Sequence, residues 1–275
     1  MSADSRRDLT YFLSDIHLGA GYMPDRIAHE KHVVAFLRQI APRAARLYLL
    51  GDILDYWFEY RTVVPRGYVR FFGQLAAMAD AGTEIVWFIG NHDIWLFDYL
   101  RDELGIKVVD SADGGIPVDI GGVHFFLGHG DTFGRQPASY RMLRSMFHNR
   151  VLQKLYSAIH PRWTIPFAHG WSSHSRKGNS ATVPKPVFGA KARAATEVFA
   201  RRLSADDPGL RYIIIGHHHV ALDEPVNDHC RLIILGNWID CSTYAVFDGT
   251  TLQLKEWDGS PYAPEPQPHG GGENK

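Results

Sequence analysis

The stretch LRYIIIGHHHV, Leu210–Val220, sets an apolar, β-branched run against three consecutive histidines. A short run of this kind, closed by glycine, reads as a buried strand with the histidines at its carboxyl end. Four other stretches repeat the design. LTYFL runs into Ser14, Asp15, Ile16 and His17, and ARLYLL runs into Gly51 and Asp52. TEIVWFI runs into Gly90, Asn91, His92 and Asp93, and GVHFFL runs into Gly128, His129, Gly130 and Asp131. Helical patterns at about 26–40, 66–80 and 94–104 lie between the early strands. Strand–helix alternation predicts an α/β fold with parallel pairings. Such folds bind ligands at the carboxyl ends of their strands.

Composition narrows the class. A chain of 275 residues, 45% hydrophobic, suffices for one large domain or a domain with an insertion. The formal net charge of −1 supplies no global field toward nucleic acid. The two cysteines, Cys230 and Cys241, form no C-x-x-C pair and are expected to be reduced, buried thiols. The amino terminus MSADSRRDLT lacks an apolar segment of the signal-peptide kind, and no apolar run is long enough to span a bilayer. A cytoplasmic protein is expected.

Seven of the strand-end residues can bind metal: Asp15, His17, Asp52, Asn91, His129, His217 and His219. Any one of them alone is more simply a turn or buried hydrogen-bonding residue. Five such clusters at five strand ends are hard to produce that way. Seven donors exceed one structural zinc site and suit two ions, with Asp52 on a central strand as the bridging carboxylate. The oxygen–imidazole mixture favours Mn²⁺, Fe or Zn²⁺ over a thiolate-loving metal. Two such ions about 3.5–4 Å apart make a phosphoester-hydrolysing centre. Residues two apart on an extended segment face one side, so Asp15 pairs with His17, and His217 with His219, while His218 points away.

The motifs DIH at 15–17, GDILD at 51–55, GNHD at 90–93, GHGD at 128–131 and GHHH at 216–219 resemble the signature of the calcineurin-like metallophosphoesterase superfamily. The resemblance implies an α/β fold of two packed β-sheets flanked by helices. It implies that Asp15, His17, Asp52 and His219 hold one ion, and Asp52, Asn91, His129 and His217 the other. It implies further that His92, oriented by Asp55, protonates the leaving oxygen or steadies the phosphoryl group. Relatives usually carry threonine where this chain has His218.

A finer resemblance is to the UDP-2,3-diacylglucosamine diphosphatase family of lipid A biosynthesis. It rests on GDILDYWFEY, on HGDTFGRQPASYRMLRSMFH, on SSHSRKGN and on LGNWID. It implies cleavage of a pyrophosphate to UMP and 2,3-diacylglucosamine 1-phosphate, with Asn91, His92, Tyr140, Arg144, Ser175, Arg176 and Lys177 contacting substrate. That family's best-known members carry arginine at the position of His92.

Residues 132–196 contain no Asp or Glu and 11 Lys or Arg. A helical pattern near 137–160 places Met142, Met146, Leu152, Leu155, Tyr156 and Ile159 at spacings that form an apolar face. Within a domain of residues 1–260, residues about 136–185 are therefore expected to form a helical cap insertion. Its bases suit a pyrophosphate, its apolar side chains suit acyl chains, and both suit the anionic cytoplasmic face of the inner membrane. The Pro/Gly-rich tail 261–275 is expected to be disordered. Three other readings remain open: a metallophosphoesterase for another nucleotide or phosphodiester, a metal-free binding scaffold, and a nuclease. The last lacks a basic face wide enough for a duplex, so nucleic acid is not an expected partner. Oligomeric state is not legible.

Overall fold

The structure is a computed structural model that describes residues 7–111, 114–133, 138–164 and 188–259. Among the described residues, eleven strands form two sheets. In chain order they are β1 Leu9–Leu13, β2 Ala44–Leu50, β3 Glu84–Phe88, β4 Lys107–Val109, β5 Ile116–Ile120 and β6 Val123–Leu127. They continue with β7 Leu210–Ile215, β8 Ala221–Pro225, β9 Arg231–Leu235, β10 Thr243–Phe247 and β11 Leu252–Glu256. The first sheet runs β11-β10-β1-β2-β3-β4 and the second β5-β6-β7-β9-β8. Strands β1, β2, β3 and β4 pair in parallel, as do β6, β7 and β9. Hence the five strands that end in polar clusters all deliver those ends to one edge of the two sheets.

Alternation along each strand divides the core. Phe12, Tyr48, Leu50, Val86 and Phe88 of the first sheet face Phe125, Leu127, Ile214, Ile233 and Leu235 of the second. Their neighbours Tyr11, Leu47, Leu49, Ile85 and Trp87 face outward onto helices. Those helices are α1, Arg26–Ile40, α2, Val69–Asp80, and α3, Tyr99–Leu104. On the far side, Phe126, Ile213, Ile215 and Ile234 pack toward a long helix, Ala190–Asp206, counted below as α6. The order helix–sheet–sheet–helix follows from strands that are apolar on both faces, each side chain adding about 1.5–3 kcal/mol on full burial.

Local signals set the helix boundaries. Asp25 caps α1, its carboxylate accepting the N–H groups of Ile27 and Ala28 at 2.9 Å. The expected helix at 94–104 shortens to α3, because residues 95–98 carry a single β-bridge, Phe58 to Trp95, and then a turn. The expected helix at 137–160 is two: α4, Ala138–His148, and α5, Arg150–Ser157. Asn149 separates them. Its backbone is extended and its side-chain oxygen accepts from Val151 and Leu152 N–H, so the apolar periodicity runs through a capped break. Cys230 is buried, whereas Cys241 is only partly so, and both are free thiols.

Candidate metal centre

Asp15 and His17 follow β1, Asp52 follows β2, Asn91 and His92 follow β3, His129 follows β6, and His217 and His219 follow β7. None of these lies on a strand. Asp15, His17, Asp52, His217 and His219 instead adopt left-handed backbones, with φ of 51°, 51°, 54°, 68° and 56°. Asp and His tolerate this region better than most residues, though at a cost. Strand-like alternation therefore does not describe these residues. His217 and His219, both left-handed, flank His218 and enter different donor groups. The ring of His218 turns to the outer helix α6, 3.3 Å from Thr196 Oγ1, and packs on Phe188.

Backbone bonds tie these turns together. Asp15 N–H donates to the Gly51 carbonyl, His17 N–H to that of Asp52, and Gly216 N–H to that of His129. Glycine is required at Gly216, where a Cβ would come within 2.3 Å of Asp15 Oδ2 and Ser14 Oγ. Three donor groups result among the described residues. Asp15, His17 and His219 converge in one, Asp52, His129 and His217 in a second, and His17 with Asp55 and His92 in a third beside the first. Asp52 Oδ2 stands between the first two, 3.8 Å from His17 Nε2 and 3.4 Å from His129 Nε2. Asn91 Oδ1 lies 3.2 Å from His129 Nε2 and so joins the second cluster.

The chemistry of these donors fits cations. His17 Nε2 and His219 Nε2 face each other at 3.2 Å, and His219 Nε2 is 3.2 Å from Asp15 Oδ1. Asp15 Oδ1 is buried without a hydrogen-bond partner, although Oδ2 accepts from Ser14 Oγ and His217 N. A buried carboxylate oxygen left open among imidazole nitrogens is what a cation would satisfy. His129 Nδ1 donates to the Leu50 carbonyl at 2.8 Å, which leaves Nε2 for the centre.

Protonation follows the same logic. Burial opposes the charge of Asp52, yet His129 and His92 hold its carboxyl well below the usual range. Burial likewise opposes Asp15, and the His219 contact holds it low. Burial lowers His17 to about 4 despite the Asp55 carboxylate beside it, and lowers His217 too. Burial also opposes charge on His129, but the carboxylates of Asp52, Asp15 and Asp131 together raise it well above the ordinary histidine value. With no metal bound, a proton on His129 would thus balance the buried anions.

His92 lies at the rim. Its Nδ1 donates to the Asp55 backbone carbonyl at 3.0 Å, while the Asp55 side chain stands 3.5 Å away. The expected orientation of His92 by Asp55 is therefore carried by the main chain. The carboxylate of Asp55 lies between His92 and the Nδ1 of His17, 3.4 Å from the latter. Tyr140 and Arg144 come down from α4 onto one oxygen, Asp131 Oδ2, at 3.0 and 3.5 Å. Ser175, Arg176 and Lys177 lie outside the described residues.

Sequence reasoning missed the aromatic bed under α4 and α5. Trp95 stacks on Tyr156 of α5 and Phe58 packs against it at a tilt, the Tyr56 hydroxyl meets that of Tyr156, and Trp95 Nε1 donates to the Phe147 carbonyl. Glu59 fixes this bed, its carboxylate accepting from the N–H groups of Phe97, Asp98 and Tyr99 and from Trp57 Nε1. The run YWFEY was the available signal. Of the expected apolar face, Tyr156 turns inward. Met142, Met146, Leu152, Leu155 and Ile159 are exposed.

Among the described residues, no helix is long and apolar enough to cross a membrane. The calcineurin-like phosphoesterase family profile matches residues 10–221. The chain is similar to UDP-2,3-diacylglucosamine hydrolase of Porphyromonas gingivalis, with 41% identity over 261 residues that span 92% of this chain and 98% of that one. Proteins of the same name from Nitrosococcus oceani and Edwardsiella ictaluri are each 27% identical, over 83% and 92% of this chain and 87% and 93% of theirs. A family profile that spans all five strand-end clusters, over a two-sheet fold that gathers them, places this chain in the calcineurin-like phosphoesterase family.

Proposed function

We propose that the protein hydrolyses the pyrophosphate of UDP-2,3-diacylglucosamine, giving UMP and 2,3-diacylglucosamine 1-phosphate. The observation that carries this reading is a pair of neighbouring donor clusters with Asp52 Oδ2 standing between them, in a chain that matches a hydrolase of that substrate along nearly its whole length. Asp15, His17, Asp52 and His219 would hold one divalent ion, and Asp52, Asn91, His129 and His217 the second. Oxygen and imidazole donors favour Mn²⁺, with Fe or Zn²⁺ as substitutes. Such a pair of ions activates a water and offsets charge developing on the phosphoryl oxygens.

The chain's own groups do the rest. His92, at the open rim, supports the phosphoryl group or delivers a proton to the departing phosphate from Nε2, since Nδ1 is engaged with the Asp55 carbonyl. No phosphorylated side chain is needed, because no serine or cysteine stands in a nucleophile motif at the strand ends. Arg144 and Tyr140 reach the edge of the centre through Asp131 and suit a phosphate and headgroup. A cap insertion at about 136–185 on a domain of residues 1–260 would carry substrate choice, and Ser175, Arg176 and Lys177, which lie outside the described residues, are candidates for phosphate contact.

Location follows from the cap. Met142, Leu155 and Trp163 are 64%, 62% and 69% exposed, and Arg141, Arg150, Lys154 and Arg162 stand among them. Exposed apolar side chains with bases and no acids suit the anionic inner face of the cytoplasmic membrane, where a lipid-linked substrate resides. The test is a Mn²⁺-supplemented assay of UDP-2,3-diacylglucosamine beside bis-p-nitrophenyl phosphate and cyclic AMP. UMP release at far higher kcat/KM than either small substrate is expected. Equal or better turnover of the small substrates would refute the lipid reading and leave a phosphodiesterase.

A further inference from the structure

Asp93 closes the GNHD stretch and is entirely buried. Its carboxylate accepts four hydrogen bonds. Oδ1 takes Gly90 N–H at 2.8 Å and Asp52 N–H at 3.3 Å. Oδ2 takes Ile53 N–H at 2.9 Å and Trp87 Nε1 at 3.1 Å. Both oxygens are thus spent on donors, so Asp93 is no candidate ligand. These donors come from two separate strand ends, the turn after β2 and the end of β3.

The turn after β2 carries Asp52, whose left-handed φ of 54° has to be enforced by its surroundings. A second bond completes a reciprocal lock, in which Asp52 Oδ1 accepts His92 N–H at 2.8 Å. Asp93 holds the main chain of Asp52, and the main chain beside Asp93 holds one oxygen of Asp52. The other oxygen, Oδ2, is left aimed at His17 and His129. Gly90 makes the approach possible, since a Cβ there would fall 2.3 Å from both Asp52 N and Asp52 Oδ1.

We propose that Asp93 is the positioning residue of the centre: it fixes the rotation of the Asp52 carboxylate and thereby sets the affinity for both ions. The inference rests on the two-ion reading given above. Asn at position 93 keeps the shape but offers a donor where one oxygen now accepts two N–H groups, so two of the four bonds fail. Loss of such outer partners typically weakens metal binding about 10–100-fold.

The test compares wild type, Asp93→Asn and Trp87→Phe. The last deletes one donor to Asp93 and keeps an aromatic ring in the core. Amide exchange of Asp52 and Ile53 is followed by NMR in metal-free protein, and Mn²⁺ binding by calorimetry. Asp93→Asn is expected to speed exchange at Asp52 and Ile53 with β7 unchanged, and to bind Mn²⁺ about 10–100-fold more weakly. Its kcat is expected to recover at saturating Mn²⁺. Trp87→Phe should move both readouts in the same direction by less. Faster exchange with unchanged Mn²⁺ affinity would make Asp93 merely structural and overturn the proposal. Wild type that binds no Mn²⁺ would refute the two-ion reading itself, whatever the exchange data say.

Discussion

Truncating Tyr156 should free the cap without disturbing the sandwich beneath it. The Tyr156 ring lies 4.8 Å from Phe58 and 5.5 Å from Trp95, and its hydroxyl is 3.0 Å from that of Tyr56. Two aromatic pairs at about 0.5–1.5 kcal/mol each and one hydroxyl contact at about 0.5–1.5 kcal/mol give roughly 3 kcal/mol for Tyr156→Ala. At about 1.4 kcal/mol per tenfold, docking of α5 weakens by roughly a hundredfold. Tyr156→Phe loses the hydroxyl's bonds to Tyr56 and to the Thr164 carbonyl, of which the Tyr56 bond ties α5 to the sandwich at about 1 kcal/mol. Hydrogen exchange resolved by peptide should show residues 138–164 opening faster in the order Phe then Ala, with β7 unchanged. Turnover of bis-p-nitrophenyl phosphate should stay at the wild-type level, while KM for the diacyl substrate rises. Exchange that increases equally in α5 and β7 would refute the idea that the cap docks as a separate unit.

Four further outcomes are expected. Asp52→Asn, a change the left-handed backbone tolerates, should lose at least one metal equivalent and nearly all turnover; full occupancy by elemental analysis would sink the bridging assignment. His217→Ala and His219→Ala should each lose an ion, whereas His218→Thr should keep both and stay within about tenfold of wild type, because only a contact to α6 changes. Reaction in ¹⁸O-water should place the label in UMP, and label confined to the sugar phosphate would reverse the site of attack. Dialysis against a chelator should abolish turnover and Mn²⁺ should restore it; full activity after chelation would exclude a metal-dependent step.

Much of this was legible because strands and chemistry coincide. LTYFL, ARLYLL, EIVWF, VHFFL and LRYIII are apolar on both faces, so each announces a strand covered on both sides, and the polar cluster at each end marks the edge. The order of those strands across two sheets was not legible, since β4 has three residues and β5, β8 and β11 are of mixed polarity. Apolar spacing cannot reveal the break at Asn149, because the periodicity on either side is in phase and only the cap chemistry ends α4. Nor does spacing reveal which carboxylates face inward: Glu59 and Asp93 hold main chain and Asp131 holds Tyr140 and Arg144, yet all three look like ordinary acids in the sequence. Position beside a ligand was the one available hint for Asp93 and Asp131.

The five left-handed residues have a consequence for how ions enter. Their turns are closed by main-chain bonds between neighbouring strand ends, bonds that join protein groups alone. The cage is then built when the chain folds, and little of it has to move on loading. Entry would then be governed by how fast an ion sheds its water, and departure by how many donors must let go at once. A cage of this kind would exchange slowly and retain what it meets first. The metal recovered with the purified protein would therefore record the growth medium as well as the preference of the donors.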